Sequence, residues 1–194
     1  MTFLRGALPV RLPFILPIFA ALVLLPRLAW SVTNAPQGFG ASTPGGSGRA
    51  VVHVTNLADS GTGSLRAALS AGSRYVVFDV AGTIPLQSPL YVRGAYVTID
   101  GTSAPAPGIT LRQAGLVLDG AAVHDVVVRG IRIREPGIKS SLGDGITIKN
   151  DVANVLIDRM SIDGCTDGNL DITRRSHDIT VQWSVLSNCL KNML

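Results

Sequence analysis

Glutamate occurs once in the 194 residues, at Glu135, and aromatic side chains make up only 5%. The apolar runs are built from Val, Ile and Thr instead, a composition that disfavours helix and favours strand. His53, His124 and His177 are scattered, and none is paired with Cys or another His at ligand spacing, which argues against zinc. No Lys/Arg patch with interleaved aromatics occurs beyond the first 35 residues, so the footprint of a nucleic-acid binder is missing. The formal charge of +4 is no counter-argument: three arginines fall in residues 1–35, which hold no acid. The remainder carries 14 basic against 13 acidic residues, a net of +1. The apolar run from Phe14 to Leu25 is short for a membrane span. Arg5 and Arg11 precede it, and small residues follow at Ala29-Trp-Ser31 and Thr33-Asn-Ala35. Residues 1–35 therefore read as an export signal, with an uncleaved anchor as the alternative, and the expected location is extracellular.

What is present is a repeat. Gly143 to Leu194 matches itself when slid by 24 residues: Ile146 falls on Leu170, Ile148 on Ile172, Asn154 on Asp178, Val155 on Ile179 and Ile157 on Val181. Looser versions of one phrase start at Tyr96, Asp125, Asn154 and Asp178, with spacings of 29, 29 and 24 residues. Short β-branched runs at a fixed period, broken by Asp-Gly and Asn turns, signal an all-β, right-handed parallel β-helix, a solenoid in which one repeat is one rung. Strands keep register while loops vary on one side of the coil.

Residues 36–74 read as an N-terminal unit. Pro36 to Arg49 is Gly-, Ser- and Pro-rich and reads as a loop, and Ala50 to Thr55 as a strand. Ser64 is a candidate N-cap for a short helix whose Leu65, Ala68 and Leu69 share a face and which Gly72 can end. Its expected task is to cap the coil, whose rungs run over 75–194 and stop in mid-rung, truncated at the C-terminus. An uncapped end exposes strand edges, so the isolated chain is expected to be marginally soluble and inactive.

The phrases GFGASTPGG, VTNLADSGTGSLRAAL, VVFDVAGTI and VTIDGTSAPAPGITL, followed by NVLIDRMSI, TDGNLDI, DITVQWSVL and CLKNML, resemble the N-terminal portion of secreted pectate lyases of polysaccharide lyase family one. The resemblance covers nearly all of residues 38–194. It implies calcium-dependent β-elimination of polygalacturonate. The implied partner is an acidic plant cell-wall polysaccharide, the full-length protein is expected to be a monomer, and no nucleic acid or stable membrane partner is implied. Arg159 departs from the pattern, since many members carry His there.

By the period-two rule, burying Leu170 and Ile172 turns Asp171 outward. Asp167 lies in the turn before it, and Asp144 one rung earlier. Rungs stack at about 4.8 Å, so Asp144, Asp167 and Asp171 are expected on one outer patch. Oxygen-only donors select a hard ion, and Ca²⁺ tolerates irregular geometry. On spacing alone these acids are equally readable as Asp-Gly turn chemistry and a solvated side chain. The resemblance implies that Asp144, Asp167 and Asp171 are the calcium ligands and that Lys191, in register with Asp167, binds substrate carboxylate. A plain ion pair between Lys191 and Asp167 is the other reading. The family's general base is an arginine expected beyond Leu194, so no catalytic residue is assigned within this chain; Arg174 and Arg175 do not match that motif. Cys165 and Cys189 share a rung position, and stacked Cα atoms near 5 Å make them a candidate disulfide, with two stacked thiols as the alternative. Two other classes stay open. One is a β-helix hydrolase of the polygalacturonase type, suggested by GDGITIKN but lacking that family's Asp-Asp pair and Gly-His-Gly. The other is a non-catalytic β-helix surface protein.

Overall fold

The β-branched runs form strands, and each strand lies in register over the one a repeat earlier. The computed structural model describes residues 35–137 and 143–189. The leader expected over 1–35, apart from Ala35, and Lys191 lie outside the described residues. Three all-parallel sheets wind around one core. Sheet A stacks β1 (Ala50–Val54), β2 (Arg74–Phe78), β5 (Val97–Asp100), β8 (His124–Arg129), β11 (Ala153–Asp158) and β14 (His177–Gln182). Sheet B stacks β3 (Gly82–Pro85), β6 (Ile109–Arg112), β9 (Ile131–Arg134), β12 (Ser161–Asp163) and β15 (Val185–Ser187). Sheet C stacks β4 (Leu90–Tyr91), β7 (Leu116–Asp119), β10 (Ile146–Lys149) and β13 (Leu170–Ile172). This is a parallel β-helix, and its pairs Ile146↔Leu170, Val155↔Ile179 and Ile157↔Val181 are those of the 24-residue slide. Sheet A starts at β1, earlier than the Tyr75 start expected for the rungs.

Inward columns fill the coil: Val97, Val126 and Val155 from sheet A, Leu111, Ile133 and Ile162 from sheet B, Leu116 and Ile146 from sheet C, all essentially without solvent contact. Each such side chain contributes roughly 1.5–3 kcal/mol by leaving water. In the last described rung, Ile172 and Val181 pair with buried Ile148 and Ile157 yet are 41% and 38% exposed, because no described strand lies beyond β13 and β14.

The corners are made by backbone torsion. Ser73, Tyr96, Asp125, Asn154 and Asp178, which precede in-register residues of sheet A, all have φ between 53° and 58°. A second column leaves sheet A through Gly130, Arg159 and Trp183, at φ 67°, 52° and 51°. A third leaves sheet B through Gln113, Glu135, Gly164 and Asn188, again left-handed. A side chain in this region costs of order 1–3 kcal/mol unless its surroundings hold it there. Stacked neighbours supply part of that hold: Asn154 donates to the Asp125 carboxylate, and the Tyr96 ring meets His124 edge-on at 5.3 Å. Arg159, the departure from the family pattern, takes this corner torsion too and donates to Asp158.

Residues 36–49, expected as a loop, form a strap across the outer face of sheet A. Phe39–Ser42 makes a 3₁₀ turn against β11 and β14. The Gly46 N–H donates to Thr98 Oγ1 at 2.8 Å, and the Gly40 N–H to Thr180 Oγ1 at 2.9 Å. Thr98, Val127, Leu156 and Thr180 form one outward column. Its two apolar members, Val127 and Leu156, are buried.

The helix α1 (Leu65–Ala68) is a single turn that packs against β1. Ser64 caps it, accepting from the Ala67 N–H at 3.2 Å and donating to the Gly61 carbonyl at 2.7 Å, while Leu65, Ala68 and Leu69 are buried. Ser64→Ala should lower stability by about 1 kcal/mol, seen as a lower urea midpoint with an unchanged slope. An unmoved midpoint would remove the cap's assigned role.

Candidate functional site

Thr147 of β10 and Asp171 of β13 are in-register neighbours on the outward side of sheet C. Their inward flanks, Ile146 and Ile148 against Leu170 and Ile172, fix that orientation through the period of two. Asp144, just before β10, reaches the same corner. Its Oδ2 accepts from Thr147 Oγ1 at 2.9 Å and its Oδ1 from the Gly168 N–H at 2.8 Å. Gly168 follows Asp167, and the Thr166 and Asp167 N–H groups both donate to the Gly143 carbonyl at 3.1 Å. The turn before β13 is thus hooked onto the turn before β10.

One detail corrects the expectation. Asp144 is 8% exposed and buried, not an outer carboxylate. It holds the two turns together through these two hydrogen bonds. Asp167 and Asp171 are half-buried. Among the described residues no three His, Cys, Asp or Glu side chains are gathered tightly enough to hold a metal ion. The donor set fits a hard dication in kind, being carboxylate oxygen throughout. Each Asp144 oxygen keeps a lone pair beyond the hydrogen bond it accepts. The fit is therefore one of chemistry and register, not of a closed cage. Thr147 and the Gly168 N–H were not found from sequence; the one available signal was a threonine at an outward position of ITIK.

Cys165 and Cys189 are free thiols in this structure, so the candidate disulfide is not formed. Cys165 is buried and donates to Asn169 Oδ1 at 2.9 Å, whereas exposed Cys189 turns to the Asp167 carbonyl. The two sulfurs are aimed at different acceptors. Burial pushes the Cys165 thiol up to about 11, which keeps it protonated and unreactive.

A second ionic cluster lies on sheet A, where Asp100, Arg129, Asp158 and Gln182 form one register column. Arg129 donates from Nε to Asp100 Oδ1 at 2.9 Å and from Nη2 to Oδ2 at 2.6 Å. Tyr75 Oη donates to Asp100 at 2.7 Å and accepts from Arg129 at 2.6 Å. Burial pushes the Asp100 carboxyl up, but hydrogen bonds from Arg129, Thr102 and Tyr75 outweigh it and hold the pKa at about 2. Burial, and then the bond to Asp100, raise Tyr75. Every member is satisfied by another, which makes the cluster a fastening of the rungs.

No family model matches the chain. It is similar to a probable pectate lyase C from Emericella nidulans, 40% identical over 179 residues that cover 90% of this chain and 42% of the relative. Pectate lyase 1 from Hesperocyparis arizonica is 34% identical over 177 residues, covering 81% of this chain and 47% of that one. Among solved structures, Jun a 1, the major allergen from cedar pollen, superposes with a TM-score of 0.65 at 29% identity, over 75% of this chain and 47% of that one. The chain spans about two fifths of the length of the curated relatives it matches.

Proposed function

The chain is a homologue of pectate lyases over nine-tenths of its own length, and on that premise we propose that it carries the calcium and substrate platform of such an enzyme. What supports the reading is that Asp171 lies in register with Thr147, whose hydroxyl donates to Asp144, and that Gly168, next to Asp167, donates its N–H to the same carboxylate. The three aspartates would hold the ion, with Asp144 supplying its second lone pairs from beneath and Asp171 facing outward. Lys191 would pair with a uronate carboxylate of the polymer. Bound calcium neutralises such a carboxylate and so acidifies the adjacent C5–H. In the elimination itself a base takes the C5 proton, the C4–C5 double bond forms, and O4 departs with the rest of the polymer. That base is not assigned to this chain. Arg175 is already paired with Asp151 through two hydrogen bonds of 2.7 Å, and in the family the base lies in a motif past Leu194. An acidic polysaccharide outside the cell is the matching partner, and a leader over 1–35 is the matching route to it.

Calorimetric titration of the full chain with trigalacturonate tests this. Binding should require calcium and vanish in chelator, and Asp171→Asn should weaken calcium affinity at least tenfold, about 1.4 kcal/mol. Equal binding of the sugar with and without chelator would count against the platform.

A further inference from the structure

The register column that ends at Asp171 runs back through Thr147 and Val117, which are both buried, to Tyr91 on β4. Three rung spacings, about 14 Å, separate Tyr91 from Asp171. At the Tyr91 end the chemistry of the face changes sign. Arg93, two residues on and past the end of β4, lays its guanidinium 4.6 Å from the centre of the Tyr91 ring. Arg93 is exposed. Arg66 beside it is committed: it donates to the Asp59 carboxylate and to the carbonyls of Ser88 and Pro89. These residues, with Leu69 and Ser70 after α1, line a pocket of about 350 Å³ between the capping turn and β4.

A guanidinium stacked on an aromatic ring loses little freedom and keeps its N–H fork for a partner. That fork matches a carboxylate in two parallel hydrogen bonds. Leu69 and the edge of the Tyr91 ring add an apolar wall, the mixture that small-ligand pockets use for orientation and burial. We propose that this pocket is a second uronate subsite, in which Arg93 takes the carboxylate of a sugar about three rungs from the acidic edge. The identity of the ligand rests on the pectate lyase reading; the pocket and its charge do not. The acidic edge needs a cation before it can meet a polyanion, whereas Arg93 carries its own charge, so the two sites respond differently to chelator.

The test titrates the full chain with digalacturonate in excess EDTA and follows the Tyr91 ring signals by NMR. Those signals should shift with saturation in EDTA. Arg93→Gln should weaken the response at least fivefold, with circular dichroism unchanged. No Tyr91 response, or an equal one in Arg93→Gln, overturns the subsite. Inorganic phosphate producing the same shift overturns the sugar assignment in favour of a simple anion site. If the EDTA-resistant response persists while calcium-dependent trigalacturonate binding is absent, the acidic-edge reading fails and this subsite stands. The reverse result sinks the subsite alone.

Discussion

Gly46→Val is expected to destabilise the chain by about 3 kcal/mol and to release the strap from sheet A. A Cβ at Gly46 would sit 2.0 Å from the Arg74 carbonyl oxygen, 2.6 Å from its carbon and 3.0 Å from the Thr98 nitrogen. All three are sheet backbone, which cannot step aside without breaking ladder hydrogen bonds. The strap must lift instead, which takes the Gly46 N–H off Thr98 and uncovers Val127 and Leu156. Gly40 makes the same approach at the other end, 2.2 Å from the Val155 carbonyl oxygen, and its substitution should act alike. Thr98→Ala removes only the acceptor and should cost about 1 kcal/mol. Urea unfolding gives the energies, and limited proteolysis between residues 36 and 48 reports the lifting. A Gly46→Val midpoint equal to that of Thr98→Ala would mean that the strap is not held by close approach.

The second large effect belongs to Arg129. Its partner Asp100 has a side chain 8% exposed, while Arg129 itself is 35% exposed. Removing one member of a buried pair costs about 3–5 kcal/mol, and the partial exposure of Arg129 places Arg129→Met at the lower end, about 3 kcal/mol. The pH dependence carries the sign. Asp100 is lowered from 3.8 to about 2 in the folded chain, so its contribution is present above the ordinary value and is lost as pH falls from about 4 to about 2. In Arg129→Met burial acts with less opposition and this acid-side loss disappears. The gap between variant and wild type should therefore be full at pH 6 and narrow steadily below pH 4. A gap independent of pH would mean that the loss comes from packing of the arginine stem and not from its charge.

The register was legible because it is a sequence property: apolar pairs such as Ile146 and Leu170 repeat at a fixed offset. The Ser64 cap was legible for the same reason, since capping depends on residues three positions apart. The strap was not, because a glycine that permits a loop and one that permits backbone contact look alike. The signal lay elsewhere, in Val127 and Leu156, apolar at outward positions where a solvated sheet face alternates. The burial of Asp144 was hidden because Gly168, whose N–H donates to it, comes from the next rung. The thiols failed differently: an offset along the chain carries no information about where a sulfur points.

The left-handed corner columns allow a use of the molecule as a display rack. Direction is reset at Asn154, Asp178 and their counterparts by torsion, so the length of chain between two corners is free to change, as the unequal spacings already record. A foreign epitope spliced between Gly101 and Gly108, in the connection from β5 to β6, should leave the courses above and below aimed as before. Several inserts could then be presented at a pitch set by the masonry rather than by the inserts themselves.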